Sequence, residues 1–231
     1  YADRYANYVL NWNYALTGNY LVDLSEDQTL NFLAGSEFQR TDAYGYGLNF
    51  SDVTGPIFEN DSLVEAANGL RTVNNPSQHS FLSYFTRAGY TIKDRYFFQA
   101  TGRVDGSSRF GRNYRYGFFP SVSAGWVISD EPWFASEQLS FVKLRSSWGK
   151  TGNAALPDYA RFGTYSSADN GILYNGQPIL FPIQPANHDL HWESSRTVDA
   201  SLELGFWNDR VTAEIGYYNK LAEDVIMNVS T

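Results

Sequence analysis

Residues 96–128 read YFFQATGRVDGSSRFGRNYRYGFFPSVSAGWVI. From Tyr96 the side chains alternate. Tyr96, Phe98, Ala100 and Val104 fall on one side of an extended chain, and Gln99, Thr101, Arg103 and Asp105 fall on the other. A Gly/Ser/Arg-rich turn, Gly106–Gly111, interrupts the pattern. It resumes with Phe118, Val122, Ala124, Trp126 and Ile128 on one face. Period-two alternation marks a β-strand with a different environment on each side. The stretch therefore predicts two strands sharing an aromatic, uncharged face and a polar one. Soluble and membrane β-proteins both present that pattern, so the decision rests on the rest of the chain.

Similar runs lie on both sides. A first strand spans about Tyr8 to Asp23, with Tyr8, Leu10, Trp12, Tyr14, Leu16, Tyr20 and Val22 opposite Asn11, Asn13, Thr17 and Asn19. After Ser25-Glu26-Asp27-Gln28 a second carries Leu30, Phe32, Ala34 and Phe38 on its apolar side, and Asn31, Glu37 and Gln39 behind. A third has Leu82, Tyr84, Ala88, Tyr90 and Ile92 against Ser83, Arg87 and Thr91, closed by the turn Lys93-Asp94-Arg95. Beyond Asp130–Phe134, read as a turn with one helical turn, a sixth places Val142, Leu144 and Trp148 against Lys143, Arg145 and Ser147. The seventh has Val198, Ala200, Leu202, Leu204 and Phe206 against Asp199, Ser201 and Glu203. Across Trp207-Asn208-Asp209-Arg210, the eighth has Val211, Ala213, Ile215 and Tyr217 against Thr212 and Glu214. Segments of about 41–79 and 151–191 lack a sustained period and read as long loops.

Two regularities favour a membrane barrel. None of the named apolar-face positions is charged, and a Lys or Arg facing lipid at the bilayer midplane costs about 2–4 kcal/mol. Tyr8, Tyr14, Tyr84, Tyr90, Tyr96, Trp126 and Trp148 recur toward strand ends, as interfacial girdles do. Connections also alternate short and long, the asymmetry of outer-membrane barrels.

Composition agrees. The 231 residues hold 17% aromatics, 19 Gly and one Met, which suits strands and turns. No apolar run approaches the roughly 20 residues of a membrane-spanning helix. The mean hydropathy of −0.39 does not oppose a barrel, which shows lipid only every second residue. A net charge of −8 and pI near 4.8 argue against nucleic acid as a partner. The absence of Cys fits an envelope protein without disulfides. The chain opens on Tyr1 with no secretory pattern, so a removed signal or a start inside a longer protein is open, and the second is the expectation.

Three segments in order, Tyr90–Phe134 (YTIKDRYFFQATGRVDGSSRFGRNYRYGFFPSVSAGWVISDEPWF), Leu139–Asn153 (LSFVKLRSSWGKTGN) and Asn187–Lys220 (NHDLHWESSRTVDASLELGFWNDRVTAEIGYYNK), resemble the barrel region of SusC/RagA-type TonB-dependent transporters of Bacteroidetes. The residues that carry the resemblance include Arg103, Asp105, Gly106, Ser107, Ser108, Arg109, Phe110, Gly111, Trp192 and Glu193. The resemblance implies an all-β fold, a closed antiparallel barrel of about 22 strands around a plug. It implies an outer-membrane location and energy-coupled import of large nutrients such as glycans or peptides, without enzymatic activity or cofactor. It implies three partners: the lipid bilayer, a SusD-like surface lipoprotein, and TonB through regions outside this chain. Residues 1–231 would then be a partial barrel domain of about eight strands, since eight strands open at both edges are not tolerable in lipid.

Candidate site residues fall into three groups. Arg103, Asp105, Arg109, Arg112 and Arg115 either bind an acidic ligand group or brace the loop, with bracing favoured. Gly106 and Gly111 read as turn positions with unusual backbone angles. Arg87, Arg103, Lys143, Arg145, Asp199, Glu203 and Glu214 would face the lumen, gripping a plug or passing a polar substrate, or neutralising one another in a hydrated interior. Tyr44, Tyr46, Tyr159, Tyr165 and Tyr174, with Phe50, Phe162 and Phe181, offer flat faces for substrate rings or pack on one another. His188 and His191 make a weak metal motif, so no metal is expected, and Trp192 reads as an interface anchor.

Two rivals stay open. A free-standing eight-stranded outer-membrane barrel would pair strands one and eight. A soluble carbohydrate-binding sandwich would bury its apolar face between two sheets.

Overall fold

The structure, a computed structural model, describes residues 2–50, 71–74, 76–167, 173–175 and 177–227. Eight long strands run in sequence order: β1 (Ala2–Ser25), β2 (Gln28–Phe50), β4 (Ser77–Ile92), β5 (Tyr96–Ser107), β6 (Tyr116–Val127), β7 (Leu139–Asn153), β12 (Glu193–Phe206) and β13 (Val211–Glu223). They form one sheet in the order β1-β2-β4-β5-β6-β7-β12-β13, and β3 (Arg71–Asn74) pairs onto β2. Two small hairpins lie within the β7–β12 connection: β8 (Thr164–Ser167) with β11 (Leu180–Gln184), and β9 (Leu173–Tyr174) with β10 (Gln177–Pro178).

The register shows why the alternation matters. Ala88, Ala100, Val122, Trp148 and Val198 stand opposite one another from β4 to β12, and Ile92, Tyr96, Trp126, Leu144, Leu202 and Ile215 do so from β4 to β13. The intervening rows carry the polar side chains: Gly89, Gln99, Ser123, Ser147 and Asp199, then Lys143, Glu203 and Glu214, with the buried Val127 opposite Lys143. Each strand's apolar set thus lands on one face of the sheet.

That apolar face is not a core. Phe98 is 48% exposed, Val122 50% and Ile215 65%. A sandwich would seal these positions, and among the described residues no second sheet covers them. The described sheet is also open, with β1 and β13 as its edges. The strand one–eight pairing required of a free-standing barrel is not formed.

On β7 and β12 charge enters the apolar face only past Trp148 and Val198. Lys150 and Arg196 stand opposite each other one step beyond Trp148 and Val198, and Arg196 is neutralised by Glu223 at 3.1 Å. Before that point the uncharged run extends from Tyr96 to Val104 on β5 and from Phe118 to Trp126 on β6, the roughly 9–11 residues that cross a bilayer.

Several strand limits differ from the sequence reading: β1 begins at Ala2, ahead of Tyr8, and β4 begins at Ser77, inside the expected 41–79 loop. β2 continues through the expected loop start at Thr41 to Phe50, because β3 pairs with its end from Tyr46 to Asn49. β13 runs on to Glu223. The chain divides into two compact units, Tyr1–Tyr14 with Phe38–Ser80 and Ala15–Glu37 with Phe81–Thr231. In the first, Asp42 accepts from Arg40 Nε at 2.9 Å and from Gln78 Nε2 at 2.5 Å.

The short connections are built from tight turns. Lys93 and Asp94 both have φ of 52°, and Arg95 N donates to Ile92 O at 3.0 Å, a type I′ turn whose twist matches the flanking strands. Between β6 and β7, a 3-10 turn over Ile128–Asp130 leads to Glu131. The buried Glu131 carboxylate accepts from Tyr96 Oη at 2.5 Å and Trp126 Nε1 at 3.0 Å, with Arg95 3.6 Å away. The Tyr96 and Trp126 rings stack at 6.2 Å, so one carboxylate ties two girdle aromatics to a turn. The Tyr96 hydroxyl, followed by the Trp126 indole, holds the Glu131 carboxyl below the usual carboxylate range.

Two outcomes are expected in the whole protein. Leu202→Arg puts a cation on the apolar face and should cost about 2–4 kcal/mol, read as impaired assembly in a heat-modifiability assay, while Ser201→Arg should assemble normally. Because the folded pKa of Glu131 is depressed, its contribution is present above the unfolded value of about 4.3 and is lost as pH falls through the folded one. Glu131→Gln should therefore lower thermal stability at neutral pH, with the gap to wild type closing as the medium is acidified below about pH 4.

Candidate functional site at the loop end of the polar face

Two connections meet over the polar face. The β5–β6 connection (108–115) and the β7–β12 connection (154–192) are joined by an aromatic cluster. Phe110, fully buried, lies 4.6 Å from Trp192 between ring centroids, with Phe119 at 5.3 Å and Phe81 at 5.8 Å from the same indole. Ala154, Leu156 and Leu190 complete the packing. Trp192 Nε1 donates to Arg115 O at 3.1 Å, and Gly111 N donates to Leu190 O at 3.0 Å.

This arrangement explains the motif from Arg103 to Gly111. Ser107 is buried, its N donates to Arg115 O at 3.0 Å, and its hydroxyl accepts from Arg109 N at 3.3 Å. Arg109 reaches across to the other loop, donating to Asp158 Oδ1 at 2.8 Å and to Ala154 O at 3.2 Å. Arg103 bridges Asp105 at 2.6 Å and Glu37 at 3.7 Å, donates to the buried Ser83 hydroxyl at 2.8 Å, and lies over the Phe85 ring. Bracing is what Arg103 and Arg109 do. Ser108 sits in the turn between them, and the half-buried Glu193 opens β12.

Two expectations are corrected. Trp192 is no interface anchor, because its ring is buried in this cluster and its N–H is used on a backbone carbonyl. Gly106 and Gly111 do not adopt left-handed angles; close backbone approach requires glycine at 111, whereas Gly106 faces the exposed Tyr116 side chain. A Cβ on Gly111 would collide with the His188 carbonyl, and one on Gly106 with the Tyr116 ring. Left-handed φ falls instead on Lys93, Asp94, Tyr159, Asn175, Trp207, Asn208, Asp209 and Asp224.

The polar-face charges are partly paired. Arg145 bridges Glu203 at 2.7 Å and Glu214 at 2.9 Å. Lys143 lies 5.4 Å from the Phe97 ring centroid, and Asp199 accepts from the Ser147 hydroxyl. Arg87 stands opposite Thr101, with no carboxylate bonded to it among the described residues.

Of the loop aromatics, Tyr44 is exposed, and Tyr159, Tyr165, Phe162 and Phe181 are exposed in the second unit. Tyr159 and Phe162 lie 6.3 Å apart, whereas Tyr165 stands opposite Pro182 on the β8–β11 hairpin. The side chains of Tyr46, Phe50 and Tyr174 lie outside the described residues. His191 Nδ1 is bonded to Asp189 O and its Nε2 faces Asp224 at 3.7 Å. No metal-binding group of three occurs among the described residues. Sequence reading missed Phe81, Phe85 and Phe119, and their signal was available: aromatic side chains at polar-face positions.

A single antiparallel sheet with an exposed, uncharged aromatic face and a polar, ion-paired back is a section of β-barrel wall. The chain belongs to the family described as TonB dependent receptor-like, β-barrel, whose model matches residues 1–231. It is 34% identical over 229 residues to TonB-dependent receptor P26 of Formosa agariphila, covering 95% of this chain and 22% of that protein. It is 36% identical over 163 residues to TonB-dependent receptor SusC of Bacteroides thetaiotaomicron, covering 66% of this chain and 16% of SusC. The fold matches a structure of the RagAB peptide transporter with a TM-score of 0.86 at 25% identity, covering 99% of this chain and 25% of that one. The chain thus spans about a fifth of the length of the curated relatives it matches.

Phe110→Ala removes the fully buried ring from the cluster and should cost about 3–5 kcal/mol locally. Limited proteolysis of the whole protein is expected to cut first within residues 154–192, with the strands protected. Gly111→Ala should give the same early cleavage by displacing the 188–190 backbone.

Proposed function

We propose that this chain is part of the wall of a TonB-coupled outer-membrane importer of the SusC type, taking up large nutrients such as glycans or peptides. The observation that supports this most is the separation of faces in register, uncharged aromatics on one side and Arg145, Glu203 and Glu214 on the other. The apolar face meets lipid and the polar face lines a hydrated interior, where a plug and a polar cargo find hydrogen-bonding partners.

In this reading the long-connection end faces the outside. Exposed Tyr159, Phe162 and Tyr165 supply flat ring faces there, and Leu180, Phe181 and Ile183 expose an apolar edge on the β8–β11 hairpin. Such exposed apolar groups mark contact surfaces, which suits cargo and a SusD-like surface lipoprotein. The protein transports and does not transform its cargo. TonB engages regions outside this chain, and the edges β1 and β13 pair with further strands of the same barrel.

The test is deletion of the whole receptor in its host, followed by uptake of labelled oligosaccharides and oligopeptides. Uptake of one class should be lost, restored by the wild-type protein, and lost again when TonB is removed. Uptake that survives either deletion for both classes contradicts the proposal. Replacing Tyr159 and Tyr165 together by Ala should weaken cargo binding about ten-fold, the worth of one or two ring contacts, measured by titration of the purified receptor.

A further inference from the structure

Lys150 on β7 and Arg196 on β12 are direct cross-strand partners on the apolar face, next to the Trp148–Val198 pair. Such partners hold their Cβ atoms about 4.5–5.5 Å apart, and like charges placed there destabilise the sheet. One carboxylate answers the two cations. Arg196 Nε pairs with Glu223 at 3.1 Å, and the arginine side chain stays 52% exposed. Lys150 has no carboxylate bonded to it among the described residues.

Depth along the strands decides what this pair meets. On β12 the uncharged apolar-face run from Phe206 to Val198 spans the roughly 9–11 residues that cross a bilayer. Arg196 lies two residues further, about 7 Å along the strand, which is the headgroup layer. Long cationic side chains in that layer can extend to water without any ligand. Here a second feature adjoins the pair. The apolar face holds a hollow of about 670 Å³, lined by Trp148 and Val198 on the side of the cations. Phe98 lines it as well, and the small Ala124 and Ser146, in register with Phe98, form its floor. The Ser146 hydroxyl donates to the Asp199 carbonyl at 3.0 Å, so the floor offers no unpaired donor and suits hydrocarbon. A cationic rim and an apolar trough are therefore continuous.

We propose that Lys150, Arg196 and this hollow form a binding site for a phosphate-bearing lipid of the outer leaflet. Its headgroup oxygens accept hydrogen bonds from the ammonium and the guanidinium fork, which offsets the repulsion between the two cations. One acyl chain passes Trp148 and lies in the hollow over Ala124 and Ser146. The inference rests on the reading that the apolar face meets lipid with its long-connection end outside, and on nothing concerning cargo.

The whole receptor, purified in detergent and delipidated, is titrated with dioleoyl phosphatidic acid, dioleoyl phosphatidylglycerol and dioleoyl phosphatidylcholine, and native mass spectrometry counts the bound molecules. Both anionic lipids should bind about five-fold or more tightly than phosphatidylcholine, whose acyl chains are the same. Sodium phosphate at equal concentration should not displace them. Lys150→Gln and Arg196→Gln should each weaken anionic-lipid binding about five-fold, the worth of one interfacial cation. Glu223→Gln removes the competing carboxylate and should strengthen it, an effect that loss of structure does not produce. Ala124→Trp fills the hollow and should weaken it, whereas Lys220→Gln, opposite Thr197 on the other face, should leave it unchanged. Circular dichroism and heat-modifiable migration verify that each variant is folded. Equal binding by wild type and the Lys150→Gln/Arg196→Gln double variant, or displacement by phosphate, overturns the proposal. Equal binding of all three lipids removes this site alone, whereas failure of all three to bind removes the lipid-facing reading with it.

Discussion

The antiparallel ladder from β4 to β13 fixes which side chains share a face, and most of the structure depends on that. Along it, Trp126 stands opposite Leu144, Leu144 opposite Leu202 and Leu202 opposite Ile215, while Lys143 stands opposite Glu203 and Glu203 opposite Glu214. A one-residue slip in any strand would exchange its two faces. Arg145 or Glu203 would then be driven among Phe98, Val122 and Leu202. The burial of charge in hydrocarbon makes that exchange expensive, so register and environment reinforce each other. Backbone pairing also removes the polar main-chain groups from the apolar side, without which no strand could lie there.

The loop layer obeys a different economy. Its connections cannot rely on ladders, and side chains hold them instead. Phe110, Trp192, Phe119 and Phe81 form the small buried cluster, and Arg109 with Asp158 ties its rim. The cluster is built on the polar face, so aromatic side chains at polar-face positions of β4 and β6 are the seat on which two loops rest. Gly111 serves the same end, since it lets its backbone approach that of His188.

Period-two reading recovered the eight long strands and their faces because lipid and water impose opposite demands on alternate residues. It was weaker wherever that contrast fades. Residues 41–50, TDAYGYGLNF, carry Asp and two Gly, which depress strand propensity, and they read as loop. Pairing with β3 makes them strand, a long-range event with no local signature. Trp192 was misplaced for a related reason. A Trp just before a strand looks like a girdle residue, and only contact with Phe110, some eighty residues away in sequence, shows it turned to the polar side.

The sidedness of the sheet is tested most directly by spin labelling. The chain contains no Cys, so single cysteines at Phe98, Val122 and Leu202, and at their neighbours Gln99, Ser123 and Ser201, can each carry a nitroxide in the membrane-reconstituted protein. Power saturation with oxygen, which concentrates in lipid, and with a water-soluble nickel chelate then reports the surroundings of each site. The account predicts oxygen-dominated relaxation at Phe98, Val122 and Leu202 and nickel-dominated relaxation at the three neighbours. Equal accessibility at both sets, or the reverse order, would contradict it.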